Sequence, residues 1–128
     1  MFTYVHDNKG ETPAIEMLLV DSTAIKLGMP LKLSSGKLVV CGTNSDLPLF
    51  IANADAAGDT YAPVVRVTPT QKWRTTLSAS NSGAIGAKSY LGTSTNVGTI
   101  GAANDSGHAV LEWKAGGSSG DEVIVHFE

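Results

Sequence analysis

The sequence predicts an all-β fold, a small antiparallel barrel or sandwich of short hairpins with at most one helical turn. Three observations lead there. No segment sustains a helical period over the roughly 11 residues an amphipathic helix needs. Apolar runs of strand length recur along the chain, bounded by Gly, Pro and Ser. Fourteen glycines, with twelve serines and twelve threonines, supply turns at close spacing. The 128 residues amount to one domain, with residues 1–12 read as an N-terminal docking arm or as the first strand of the same barrel.

In order, Ile15-Glu16-Met17-Leu18-Leu19-Val20 is too short for a helix and reads as a strand with both faces largely covered. Pro30 to Cys41 is the clearest unit: Leu31 and Leu33 alternate with Lys32, Ser34-Ser35-Gly36 turns, and Lys37 to Cys41 returns. Gly36 suits the left-handed residue of a three-residue hairpin loop. Leu49-Phe50-Ile51-Ala52 is the next strand, and Asn53 to Asp59 a loop or one helical turn stopped by Gly58. Pro63 breaks the chain before Val64-Val65-Arg66-Val67-Thr68, which Pro69 ends. Trp73 to Leu77 is β-prone. From Ser78 to Gly107, six glycines separate short apolar pieces (Ala84-Ile85, Tyr90-Leu91, Val97 to Ile100), the pattern of very short strands joined by tight turns. His108 to Trp113 and Asp121 to Glu128 close the chain as two strands joined by Ala115 to Gly120, with Val123, Val125 and Phe127 sharing a face.

Charge is sparse, 16% of residues, and unevenly dealt. Between Asp59 and Asp105 there is no acid, while Arg66, Lys72, Arg74 and Lys88 give that stretch +4 and leave −7 elsewhere. Such asymmetry suits docking on a complementary partner, unless strand pairing mixes the two populations into an ordinary surface. Four cations over so long a stretch do not make a phosphate-tracking stripe, so direct nucleic-acid binding is not expected. No run approaches the about 18 apolar residues of a membrane span, and Met1 to Asp7 lacks the basic and apolar regions of a secretory signal. The expectation is a protein made in a cytoplasm, with no membrane partner.

No chemistry is spelled out. Gly116-Gly117-Ser118-Ser119-Gly120 matches a nucleophile elbow by letter, with Asp121 and His126 following, but the set lies on one turn and one strand. His6, His108 and His126 are too dispersed for a metal box and read as solvated strand positions. Asp55 and Asp59 echo a calcium loop without its closing acid. Cys41 reads as a small core residue. Trp73, flanked by Lys72 and Arg74, is a core tryptophan with cations on the outward face or an exposed interface anchor. No enzyme, catalytic residue, cofactor or metal is expected.

One resemblance adds a function. Gly28-Met29-Pro30-Leu31-Lys32-Leu33, Gly36-Lys37-Leu38-Val39-Val40-Cys41, Leu47-Pro48-Leu49-Phe50-Ile51-Ala52, Ala56-Ala57-Gly58-Asp59 and Ala62-Pro63-Val64-Val65-Arg66-Val67, in that order, resemble the small capsid cement or head decoration proteins of tailed bacteriophages. The close, Gly120 to Phe127, is similar to their last strand. The resemblance spans Gly28 to Thr68 and His108 to Glu128; Ser78 to Gly107 has no counterpart in it. It implies a structural virion protein on the outer surface of the phage head that stabilises the expanded shell. Its partner would be the major capsid protein, and its own copies would form a homo-oligomer, a trimer being favoured. Candidate contacts for the capsid or a sister subunit, chosen from charge and apolarity rather than from a family motif, are Phe2, Tyr4, Arg66, Lys72, Trp73 and Arg74. The competing class is a carbohydrate- or surface-binding β module displayed on a virion or cell.

Overall fold

Backbone pairing confirms the all-β expectation in detail. The structure, a computed structural model, describes residues 1–128. It contains strands β1 (Thr3–Asp7), β2 (Ile15–Leu19), β3 (Pro30–Ser34), β4 (Lys37–Val40), β5 (Phe50–Ala52) and β6 (Tyr61–Arg66). Then follow β7 (Gln71–Thr76), β8 (Lys88–Leu91), β9 (Ile100–Ala103), β10 (Ala109–Lys114) and β11 (Glu122–Phe127), with one 3-10 turn at Ser94–Asn96. Two antiparallel sheets result, β1-β7-β11-β10-β8-β9 and β2-β6-β5-β3-β4, in a sandwich-like arrangement. The smaller sheet curls on itself: Val20, just past β2, bridges Leu38 of β4, and the Asp21 N–H donates to the Leu38 carbonyl.

Two apolar clusters follow from this shape. The larger lies between the sheets and takes Trp73, Leu111, Val123, Val125 and Phe127 from one, and Cys41, Ile51 and Val65 from the other. The smaller, with Val20, Leu31, Leu38, Phe50, Ala62 and Val64, belongs to the curled sheet and its connections. Consecutive Val64 and Val65 are therefore both buried, one in each cluster, because both faces of β6 are covered at this point of the strand. The alternation read for the last strand holds, with Val123, Val125 and Phe127 all buried.

Several local expectations are corrected. Of the two readings of residues 1–12, the start of the segment takes the strand: Thr3–Asp7 is an edge strand paired with β7, and Phe2 is buried. The segment Ile15–Leu19 is not covered on both faces, because it forms an edge of the smaller sheet and leaves Ile15 and Met17 more than half exposed. Ser34 pairs with Lys37, so the hairpin loop has two residues, Ser35 and Gly36, both with positive φ (49° and 77°). Two left-handed residues in succession match the right-handed strand twist, which a three-residue loop was not needed to supply. Pro63 lies within β6 opposite Met17; its carbonyl accepts from the Asn53 N–H just past the end of β5, where the missing donor costs no ladder bond. No helical turn forms at Asn53–Asp59. Gly58 serves close approach instead of a helix stop: a Cβ there would stand 2.2 Å from the Ser22 carbonyl oxygen. Of the apolar pieces read in the glycine-rich stretch, Tyr90-Leu91 and Ile100 fall in strands, β8 and β9, while Ala84-Ile85 lies in a loop.

Candidate functional site

The six residues singled out by charge and apolarity do not form one surface. Phe2 is 3% exposed and stands edge-to-face on Phe127, centroids 5.3 Å apart. Trp73 is 2% exposed, with the half-buried Tyr4 ring edge-to-face on it at 5.6 Å; it is the core tryptophan of the two alternatives, not an anchor for a partner. Arg66, on the smaller sheet, is held by Glu16 in a two-pronged ion pair and lies over the Phe50 ring. Lys72 is nearly buried and paired with Glu112. Arg74 alone is both exposed and free of an ion pair. Strand pairing thus mixes part of the sequence's charge asymmetry away, at Arg66 and Lys72.

What the topology assembles instead is a polar cluster on the outer face of the larger sheet. Glu112 is the extra residue of a β-bulge: Leu111 lies opposite Val125, but Trp113 lies opposite Ile124. With Leu111 buried, strict alternation would turn Trp113 inward; the bulge brings it out to 47% exposure and directs Lys114 the other way. The Lys114 ammonium then donates to the Asn81 and Gly83 carbonyls, tying down the loop before β8. Asn81 is itself buried and fully used, donating to Ser89 Oγ and the Gly101 carbonyl while its Oδ1 accepts from the Gly83 N–H.

Glu112 Oε1 accepts from Lys72 Nζ of β7 and from His126 Nδ1 of β11, the latter at 2.5 Å. The Lys72 hydrogen bond, with the His126 bond behind it, holds the Glu112 carboxyl below its ordinary range against the opposing effect of desolvation. Donation to a carboxylate places the His126 proton on Nδ1; its Nε2 faces Glu128 Oε2 at 3.3 Å. His126 is therefore not a solvated strand position, as its side chain is only 15% exposed. Glu112 Oε2 receives no hydrogen bond from the protein. Beside this carboxylate a recess of about 370 Å3 is lined by His6, Asn8, Lys72, Glu112, Trp113 and Ile124.

Chemically, this is a carboxylate locked by an ammonium and an imidazole N–H next to an exposed indole. No hydroxyl or thiol is hydrogen-bonded to His126, and Ser118 sits in the β10–β11 connection, where its N–H donates to Asp121 Oδ2. Cys41 is fully buried, and burial foremost, with the nearby Asp46 charge, pushes its thiol up to about 12. Asp55 accepts from the Leu27 N–H rather than facing a partner acid.

A second surface lies on the smaller sheet. Ile15, Met17 and Leu19 of β2 pair with Val65, Pro63 and Tyr61 of β6 and share one face. Ile15 and Met17, 52% and 57% exposed, lie on the edge strand β2, and Tyr61, 65% exposed, lies beside them on β6. No protein-family model matches this chain, and no curated protein is a significant match to it. Fold and surfaces together define a small two-sheet β protein with an aromatic and polar recess on one sheet and an apolar edge on the other.

The recess residues Glu112, Trp113 and His126 are the ones the sequence did not bring together. The short connection Ala115 to Gly120 makes β10 and β11 neighbours, which is a signal for Glu112 with His126. The bulge that exposes Trp113 left none.

Proposed function

We propose that this chain is a structural virion protein, a capsid decoration protein that binds the outer surface of a tailed-phage head and stabilises the expanded shell. The observation that carries the reading is the apolar face of Ile15, Met17 and Tyr61 beside the free edge of β2. Natural edges are blunted by charge, proline or cover; here Ile15 and Met17 flank the unpaired side of β2, with Tyr61 next to them on β6, which suits attachment to a large protein surface. The resemblance supports it further. Its segments from Gly28 to Val67 supply β3, β4, β5 and β6, four adjacent strands of the same sheet.

The partner in this reading is the major capsid protein, and the chain's own copies associate as a homo-oligomer, a trimer being the favoured form. A ligand that binds only the assembled shell stabilises it by mass action, and linked copies add avidity. Purified protein added to expanded shells should co-sediment with them and raise their melting temperature. Shells whose melting and sedimentation ignore a saturating excess overturn the reading.

A further inference from the structure

We infer that the recess on the outer face of the larger sheet binds an uncharged sugar ring, stacked on Trp113 and hydrogen-bonded by Glu112. The site is separate from the β2 edge and does not depend on the capsid reading.

Three features of the recess point to this class of ligand. Trp113 is delivered to solvent by a bulge, against the alternation that would bury it, and its indole is an apolar platform with Ile124 opposite it in the pairing. Glu112 is an acceptor fixed in advance. Lys72, with 10% of its side chain exposed, and His126, with 15%, both bind Oε1, leaving Oε2 without a protein donor in a carboxylate that cannot swing away. Such preorganisation lowers the ordering cost of binding. The remaining lining groups, the His6 imidazole and the Asn8 carboxamide, can each donate and accept.

A pyranose matches this set. Its C–H face is apolar and packs on an aromatic ring, while its hydroxyls donate to a carboxylate oxygen and exchange hydrogen bonds with imidazole and amide. The recess, about 370 Å3 and open to solvent, lies at the small end of the ~300–1,000 Å3 typical of ligand sites and has room for a single ring. Charge selects against the alternatives. An anionic ligand would meet the Glu112 carboxylate, and a cationic one would meet Arg74, exposed, without an ion pair and opposite Ile124 in the next strand. A nucleotide would also stack on the indole, but its phosphate would meet the Glu112 carboxylate, and Lys72, the one cation lining the recess, is spent on that residue.

The chain's two tryptophans give the test an internal control, because Trp73 is buried in the core and Trp113 is not. The protein is titrated with the methyl glycosides of glucose, galactose, mannose and N-acetylglucosamine, following both indole N–H resonances, and is applied to an oligosaccharide array. The expected result is a saturable shift of the Trp113 resonance, with Trp73 unmoved, by at least one glycoside or array hit. Trp113→Ala should weaken that binding by about tenfold or more, with the Trp73 resonance in place to show an intact fold, and Glu112→Gln should weaken it several-fold. Shell binding by Trp113→Ala should match the unsubstituted protein, so a failed capsid reading and a failed sugar site give different results. The inference is overturned if no glycoside or oligosaccharide shifts Trp113, if a nucleoside monophosphate does so in their place, or if Trp113→Ala binds sugar as tightly as before.

Discussion

Glu112 and Trp113 are neighbours in sequence yet both stand on the outer face of the larger sheet, because the β10–β11 ladder slips by one residue between them and Leu111. Had the strand stayed regular, Trp113 would follow Leu111 into the core, and the carboxylate held by Lys72 and His126 would have no aromatic beside it. One irregularity therefore creates the recess. It also turns Lys114 toward the loop it ties down through the Asn81 and Gly83 carbonyls.

The Lys72–Glu112 pair should be visible in stability. Glu112→Gln leaves a nearly buried ammonium without its counter-charge and should cost about 2 kcal/mol, less than the roughly 3–5 of a fully buried pair because Glu112 is 32% exposed. Adding Lys72→Met should restore most of the loss. Urea denaturation of the two single variants and the double variant measures this; equal and additive losses would mean the pair is not coupled.

Acid should act through the same residue. Glu112 has a folded pKa below its ordinary 4.5, so folding favours the ionised form. Its contribution is complete above that ordinary value and is lost as pH falls through the lower folded value. Glu16, held down first by its Arg66 hydrogen bond, behaves alike. Stability should therefore fall steeply on acidification below about pH 4.5, and the slope should be shallower in Glu112→Gln. A variant with the unchanged slope would show that the carboxylate is not held down by its neighbours.

Much of the fold was legible, and the reasons are local. Period-two alternation fixes Val123, Val125 and Phe127 as inward because β11 is regular and its two faces differ in polarity. The hairpin at Gly36 was legible as a turn, though its length was not, since Ser35 gives no sign that it adopts positive φ. Trp73 was left between core and interface because its cationic neighbours fit both. The edge position of Ile15–Leu19 was illegible, as which strands end a sheet depends on long-range pairing; β2 finds its partner in β6, far along the chain.

Two substitutions separate steric from conformational demand in the turns. Gly58→Ala puts a methyl group against the Ser22 and Asp21 carbonyl oxygens, backbone atoms that cannot rotate away, and should destabilise by about 2 kcal/mol or more. Ser35→Asn keeps a side chain where φ is 49° but uses the residue best suited to that region, and should stabilise by about 0.5 kcal/mol. Thermal midpoints that move in the same direction for both would contradict these backbone assignments.

Cys41 should be chemically silent in the native state. It is fully buried and its thiol is pushed up to about 12, so almost no thiolate exists at mildly alkaline pH and no reagent reaches it. An aromatic disulfide reagent should label one thiol per chain in denaturant and essentially none without it. Rapid native labelling would place Cys41 outside the cluster it shares with Ile51 and Val65.

The exposed face of β2 separates attachment from folding. Met17 is 57% exposed and outside both buried clusters, so Met17→Glu should leave the unfolding free energy within about 0.5 kcal/mol of the unsubstituted protein. A carboxylate at the centre of an apolar contact is desolvated without a partner, which typically weakens association by tens of fold or more. Co-sedimentation with expanded shells should therefore be lost in Met17→Glu, while Arg74→Glu, on the other sheet and away from this edge, should retain it. The opposite pattern would move the contact to the larger sheet, where it would compete with the recess at Trp113, and Trp113→Ala would then share the defect.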